Sequence, residues 1–262
     1  MFATLVACGG GDAVDDVLEV GPPGPALEGK ADLVEGNVEI KINLRADQID
    51  RARSVFHLQK DRASARDVYF YDQADLALSD GGLILRARRI DGAPDDSTVK
   101  LRPMDPDAVA ASWFDLAGFK CEEDRVGGAG VTSCSLTVAQ DQGEIDAVAA
   151  GDRGIDKLFS ADEEALTALR GDVVDWTALE VLGPTAAWVW KVKVRSFGRR
   201  ITFELWELPD ATTLLEASTR VTAAEADQVQ QELEQCLAAR GFDVSSAGET
   251  KTRAALDYFG GR

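Results

Sequence analysis

Residues 37 to 45 read Asn-Val-Glu-Ile-Lys-Ile-Asn-Leu-Arg, so that Val38, Ile40, Ile42 and Leu44 alternate with Asn37, Glu39, Lys41, Asn43 and Arg45. A period of two is the mark of a strand with one dry and one wet face. The wet face here carries both charge signs. On a single strand, solvation accounts for that. Three later runs repeat the arrangement: residues 83 to 89 align Arg86 with Arg88, residues 98 to 102 align Lys100 with Arg102, and residues 189 to 195 align Lys191, Lys193 and Arg195. A further run, 119 to 124, mixes signs again with Lys120, Glu122 and Asp124. Four cationic strand faces in one chain point to a shared, enclosed polar surface.

The balance of charge sharpens this. The 262 residues include 28 Lys and Arg against 46 Asp and Glu, a formal net charge of -18. Nucleic-acid binding is driven by positive charge, so such a chain is an unsuitable partner for DNA or RNA. An acidic exterior around a basic interior would draw a small polyanion only into the interior.

At the N-terminus, Leu5-Val6-Ala7-Cys8 is similar to a bacterial lipobox, whose cysteine receives lipid, followed by a Gly-, Asp- and Pro-rich tether to about residue 35. This reading requires a true start upstream of Met1, since the opening is short and lacks a basic region. The alternative is a chance cysteine in an unstructured tail. No stretch reaches the roughly 20 apolar residues of a membrane span, so a membrane contact would run through lipid alone. The lipobox predicts an exported protein anchored to the cell envelope; without it the chain is cytoplasmic.

The remainder, 36 to 262, shows no internal composition shift and is taken as one domain, long enough for a substantial core. A helix is expected over about 46 to 59, strands over 67 to 74, 119 to 126 and 134 to 138, and a helical stretch over about 142 to 170. The last has a capping box at Ser160 and Glu163 and a stop at Gly171. Strands return at 177 to 182, 187 to 197, 200 to 208 and 213 to 221, before a helix that opens at Thr222 and Glu225 and closes at Gly241. Cys121 and Cys134 lie on two runs joined by a Gly-rich turn, where facing positions come within disulfide range; the alternative is a pair of buried thiols. His57 is the single histidine, which excludes a multi-histidine zinc site. Trp188, Trp190 and Trp206 are assigned to packing rather than to ligand stacking.

The order of these strands resembles the CYTH, or triphosphate tunnel metalloenzyme, superfamily. Its opening Glu-x-Glu-x-Lys stands here as Asn37-Val38-Glu39-Ile40-Lys41. Tyr69-Phe70-Tyr71-Asp72, Leu85-Arg86-Ala87-Arg88 and Val99-Lys100-Leu101-Arg102 are similar to later segments of that family. The resemblance spans roughly 37 to 255, with its specific part in 37 to 102. It implies an α+β fold, in which about eight antiparallel strands close, or nearly close, into a β-barrel tunnel flanked by helices. It further implies Glu39 and Lys41 as catalytic residues. The substrate-binding cations would be Lys41, Arg86, Arg88, Lys100, Arg102, Lys193, Arg195 and Lys251, and the carboxylates for Mg or Mn would be Glu39, Glu122, Glu204 and Glu216. Asn37 departs from the pattern, since the family carries a metal-binding carboxylate there; Glu35 is a candidate substitute.

The chemistry is consistent with such a tunnel. A triphosphate bears about three to four negative charges, and Lys and Arg heads converging in a low-dielectric interior bind it strongly. Carboxylates on the same wall suit a hard divalent cation that bridges phosphate oxygens. Three readings follow: a metal-dependent hydrolase of triphosphate, polyphosphate or nucleoside triphosphate; a non-catalytic envelope protein that binds a polyanion; and, third, an adenylyl cyclase.

Overall fold

The computed structural model describes residues 16–22, 37–171, 173–244 and 250–262. Its ten strands are β1 (Val17–Gly21), β2 (Asn37–Leu44), β3 (Ser64–Asp72), β4 (Leu83–Ile90), β5 (Asp95–Leu101), β6 (Phe119–Val126), β7 (Ala129–Gln140), β8 (Glu180–Val194), β9 (Arg200–Glu207) and β10 (Thr213–Thr222). Nine of them pair in the order β8-β3-β4-β5-β7-β6-β2-β10-β9, and a β8–β9 pairing closes the ring. The expected barrel is therefore present, but it is mixed rather than wholly antiparallel. β2 runs parallel to β6, with Glu39 opposite Asp124. Adjacent parallel strands need a long crossover, and the intervening chain supplies it by building β3, β4 and β5 first.

Closure gives every strand an inside and an outside. Outside, Val38, Ile40, Ile42 and Leu44 of β2 join Trp190, Phe203 and Leu215 against α1 (Ile49–Val55) and α5 (Ala226–Ala238). On the opposite flank, Leu85, Val99, Leu101 and Leu136 pack under α3 (Glu144–Ala149) and α4 (Ala161–Thr167). The two remaining helices are α2 (Ala77–Asp80) and α6 (Lys251–Phe259). Each large apolar side chain so buried contributes about 2 kcal/mol. The third apolar cluster is different, because it lies on the inner face: Val68, Phe70, Leu182, Ala187 and Trp206 receive Ala255 and Leu256 of α6. The last helix thus stops one side of the barrel.

Local signals explain the element ends. Ser160 accepts from the Glu163 amide while the Glu163 carboxylate accepts from the Ser160 amide, the reciprocal cap expected for α4. Gly82 enters β4 at φ +83°, and a Cβ there would come within 2.0 Å of the Arg102 carbonyl oxygen, so only glycine fits. Trp190 and Trp206 are both buried packing residues, with the Trp190 indole donating to the Gln59 carbonyl at 2.7 Å. His57 sits half-buried in the turn after α1 at φ 54°.

Several expectations are corrected. Residues 17 to 21 are not tether: they form β1, which pairs with β8 over residues 191 to 194, beyond its pairing with β3. The stretch read as two strands, 177 to 182 and 187 to 197, is the single fifteen-residue β8. The helical stretch over 142 to 170 is α3 and α4, with one short 3-10 turn between them and another after α4. Cys8, the rest of the lipobox segment and Glu35 lie outside the described residues, as does the side chain of Asn37. Among the described residues, no helix is long and apolar enough to cross a membrane.

Candidate functional site

Alternation on successive strands delivers a set of charged side chains to the inner face. β2 contributes Glu39 and Lys41; β3, Arg66; β4, Arg86 and Arg88; β5, Asp96, Lys100 and Arg102 just past its end; β6, Lys120, Glu122 and Asp124. β9 adds Glu204 and β10 adds Glu216 and Arg220, paired in register with one another and with β2. Lys251 enters from α6, where its ammonium meets Glu204 at 2.5 Å and Glu216 at 2.7 Å. These named residues amount to nine cations and six carboxylates, a surplus of three positive charges inside a chain whose net charge is -18.

Asp124 is the hub. Its side chain is fully buried and lies 2.7 Å from Lys41, 2.8 Å from Lys100 and 2.8 Å from Arg102. Burial alone would raise its carboxyl pKa, but Lys41, Lys100 and Arg102 outweigh that and hold it at about 2. Glu39 is 3.2 Å from Lys41, and Glu122 is 2.6 Å from Lys120. Burial works against the Lys41 charge, yet Glu39, Glu216 and Asp124 raise its pKa well above the ordinary lysine value. Lys41 is therefore a permanent cation and a hydrogen-bond donor, not a base.

Further along the wall the balance tips. Arg88 makes a two-point contact with Asp96, 2.9 and 2.6 Å. Arg86, beside it, has only Thr98 at 3.3 Å, and neither Arg86 nor Arg66 has a carboxylate within ion-pair distance among the described residues. The Nε atoms of Arg66, Arg86 and Arg102 are buried without a hydrogen-bond partner. Burial, reinforced by Arg88, pulls Arg86 down to about 10. A buried charge of this kind is costly unless something complements it.

The structure thus brings together Glu39, Lys41, Arg86, Arg88, Lys100, Arg102, Glu122, Glu204, Glu216 and Lys251. Lys193 and Arg195 do not join them: both are exposed, Lys193 on the part of β8 that has left β3 for β1 and Arg195 in the turn just past its end. Sequence reasoning put Asp124 on one face with Lys120 and Glu122 but gave it no site role, and it missed three further inner residues. Arg220 shares the parity of Glu216, and that signal could have found it. Arg66 and Asp96 fell outside because β3 and β5 begin earlier than expected. On the outer face of β6, Cys121 lies directly opposite Cys134 and the two form a disulfide.

Oxygen atoms of Glu39, Glu122 and Asp124 lie within 4.8 Å of one another. Three carboxylates with no nitrogen or sulfur donor form the ligand set of a hard divalent cation, so the residues present fit such an ion. Glu204 and Glu216 instead gather around Lys251 and do not belong to that trio.

No protein-family model matches the chain, and no curated protein matches it. Solved structures do. A candidate adenylate cyclase from Bacillus halodurans superposes with a TM-score of 0.57 at 14% identity, covering 84% of this chain and 97% of that one. A candidate adenylyl cyclase from Hippeastrum, described as having a dominant triphosphatase activity, gives 0.57 at 20% identity, covering 85% and 96%. These likenesses establish the fold, a closed barrel with flanking helices.

Proposed function

We propose that this chain is a member of the CYTH superfamily that binds the triphosphate group of tripolyphosphate, polyphosphate or a nucleoside triphosphate inside its barrel and hydrolyses it slowly with a divalent cation. The observation that carries the reading is the pair of half-buried guanidiniums, Arg66 and Arg86, whose Nε atoms are buried without a hydrogen-bond partner and which have no carboxylate within ion-pair distance among the described residues, on an inner wall that already holds a surplus of positive charge. Half-buried cations with no direct ion pair are open to an anionic ligand, and planar guanidiniums match phosphate oxygens. The triphosphatase activity ascribed to the Hippeastrum protein of the same fold supports the substrate class.

Glu39, Glu122 and Asp124 would hold magnesium or manganese. Such an ion, when bound, neutralises charge on phosphate oxygens and orients them for in-line attack. The chain's own residues do the rest. Lys41, Lys100 and Arg102 donate to phosphate oxygens from one side and Arg86, Arg88 and Arg66 from another, while Lys251 marks the inner limit at Glu204 and Glu216. The apolar plug formed by α6 and Trp206 excludes bulk water there, which strengthens each contact.

A second reading, a non-catalytic binder of polyanions, is favoured by Asn37, where the family's pattern has a carboxylate. The Cys121–Cys134 disulfide supports an exported protein, because such bonds persist in oxidising compartments. A lipid anchor at Cys8 rests on the sequence alone. Phosphate release from tripolyphosphate and from ATP, with Mg, with Mn and with chelator, separates the readings: slow metal-dependent release supports hydrolysis, binding without release supports the second, and cyclic AMP with pyrophosphate would reveal a cyclase. Absence of both binding and release would refute all three.

A further inference from the structure

Asp124 is a fully buried carboxylate with three cations within 2.8 Å, and those partners are the cations a phosphate would need. Lys41, Lys100 and Arg102 converge on it at 2.7, 2.8 and 2.8 Å, each only 16 to 21% exposed, and Ser133 Oγ stands at 3.5 Å from the same carboxylate. Three cations around one fully buried carboxylate reproduce the contacts that a phosphate group would receive. The same Asp124 belongs with Glu39 and Glu122 to the trio of oxygens within 4.8 Å of one another. One side chain therefore sits between two binding partners of opposite sign.

We infer that Asp124 is a built-in competitor of the anionic substrate and that a divalent cation relieves the competition. Without the cation, Asp124 occupies Lys41, Lys100 and Arg102, and a phosphate group must displace it. With the cation held by Glu39, Glu122 and Asp124, the carboxylate has a different positive partner, and the three side chains turn to phosphate. Cation and phosphate then bind with positive coupling, reciprocal by linkage. Asp124 in this role is a positioning residue for its three cations. The inference rests on the reading of the barrel as a triphosphate site and adds to it how binding is switched on.

The test is calorimetric titration of tripolyphosphate into wild type, Asp124→Asn and Asp124→Ser, each with chelator and with magnesium, with near-UV circular dichroism to verify folding. In chelator the variants should bind about tenfold more tightly than wild type, the gain expected if the carboxylate holds the site about nine-tenths of the time. Magnesium should tighten wild type by a similar factor and leave the variants nearly unchanged. A purely structural role for Asp124 would instead weaken binding in chelator. Folded variants that bind no better than wild type in chelator overturn the inference. If neither variant folds, wild type alone still decides: equal affinity in chelator and magnesium overturns it. Should wild type and variants all fail to bind tripolyphosphate in every buffer, the triphosphate reading itself falls, and the inference with it.

Discussion

Arg86 and Arg88 stand two residues apart on the inner face of β4, yet only Arg88 has a carboxylate partner, Asp96, at 2.6 Å. The two guanidiniums share a strand, a neighbourhood and a depth, so the difference isolates what pairing does. Arg88→Ala would leave Asp96 buried without its cation and should lower stability by about 3 kcal/mol. Arg86→Met removes an unpaired charge and should raise stability by about 1 kcal/mol while weakening tripolyphosphate binding. Urea unfolding of both variants, beside calorimetry with tripolyphosphate, measures the contrast; equal losses of stability would show that Arg86 has a structural partner after all.

The disulfide between Cys121 and Cys134 closes a loop of sequence separation 13 on the outer face of β6 and β7. Its removal in the double serine variant should cost about 3 kcal/mol in the chain-entropy model. Because Lys120 and Glu122 flank Cys121 on the inner face, the loss should also loosen tripolyphosphate binding. Unfolding curves with and without reductant read the first effect. Coincident curves would show that the β6–β7 ladder holds without the bond.

Acid stability should depend on Glu204. Burial opposes its charge, but Lys251 and Arg66 overcome that and hold the carboxyl at about 2, from an ordinary value of 4.5. A folded-state pKa below the unfolded value contributes stability that is fully present above about 4.5 and is lost as pH falls through about 2. Wild type should therefore lose stability steadily across that window, and Glu204→Gln should show a shallower slope. A urea midpoint followed from pH 5 to pH 2 tests this; identical slopes would mean that Glu204 is not the group responsible.

Asn37 opens β2, two residues before Glu39. If the missing carboxylate limits the metal, Asn37→Glu should tighten magnesium binding and raise phosphate release from tripolyphosphate by about tenfold or more, while leaving affinity in chelator unchanged. An unaltered rate would show that Glu39, Glu122 and Asp124 already form a sufficient set.

Much of the site was legible because a strand's parity is a sequence property. Once Val38, Ile40, Ile42 and Leu44 are placed outside, Glu39 and Lys41 must lie inside, and the same holds for Arg86, Arg88 and Lys100. Parity says nothing of which strands are neighbours. That β2 lies parallel to β6, and so brings Glu39 beside Asp124, depends on a contact between residues far apart in the chain. Strand ends were blurred by ordinary polar residues: Arg66 and Asp96 belong to strands whose openings look like turns. Lys193 and Arg195 show the reverse limit. Lys193 lies where β8 outruns its pairing with β3 and pairs with β1 instead, and Arg195 lies in the turn beyond Val194, so alternation no longer means enclosure.

The seating of Ala255 and Leu256 against Phe70 and Trp206 has a bearing on polymers. A passage stoppered at one side, as it is among the described residues, cannot be threaded by a long chain. On the proposed reading, a polyphosphate strand would enter only by its terminus, and the number of phosphates reaching Lys251 would be limited by depth rather than by polymer length. Affinity should rise with chain length only until the blind pocket is filled, and attack on a polymer would proceed inward from its end, never at a bond in its middle.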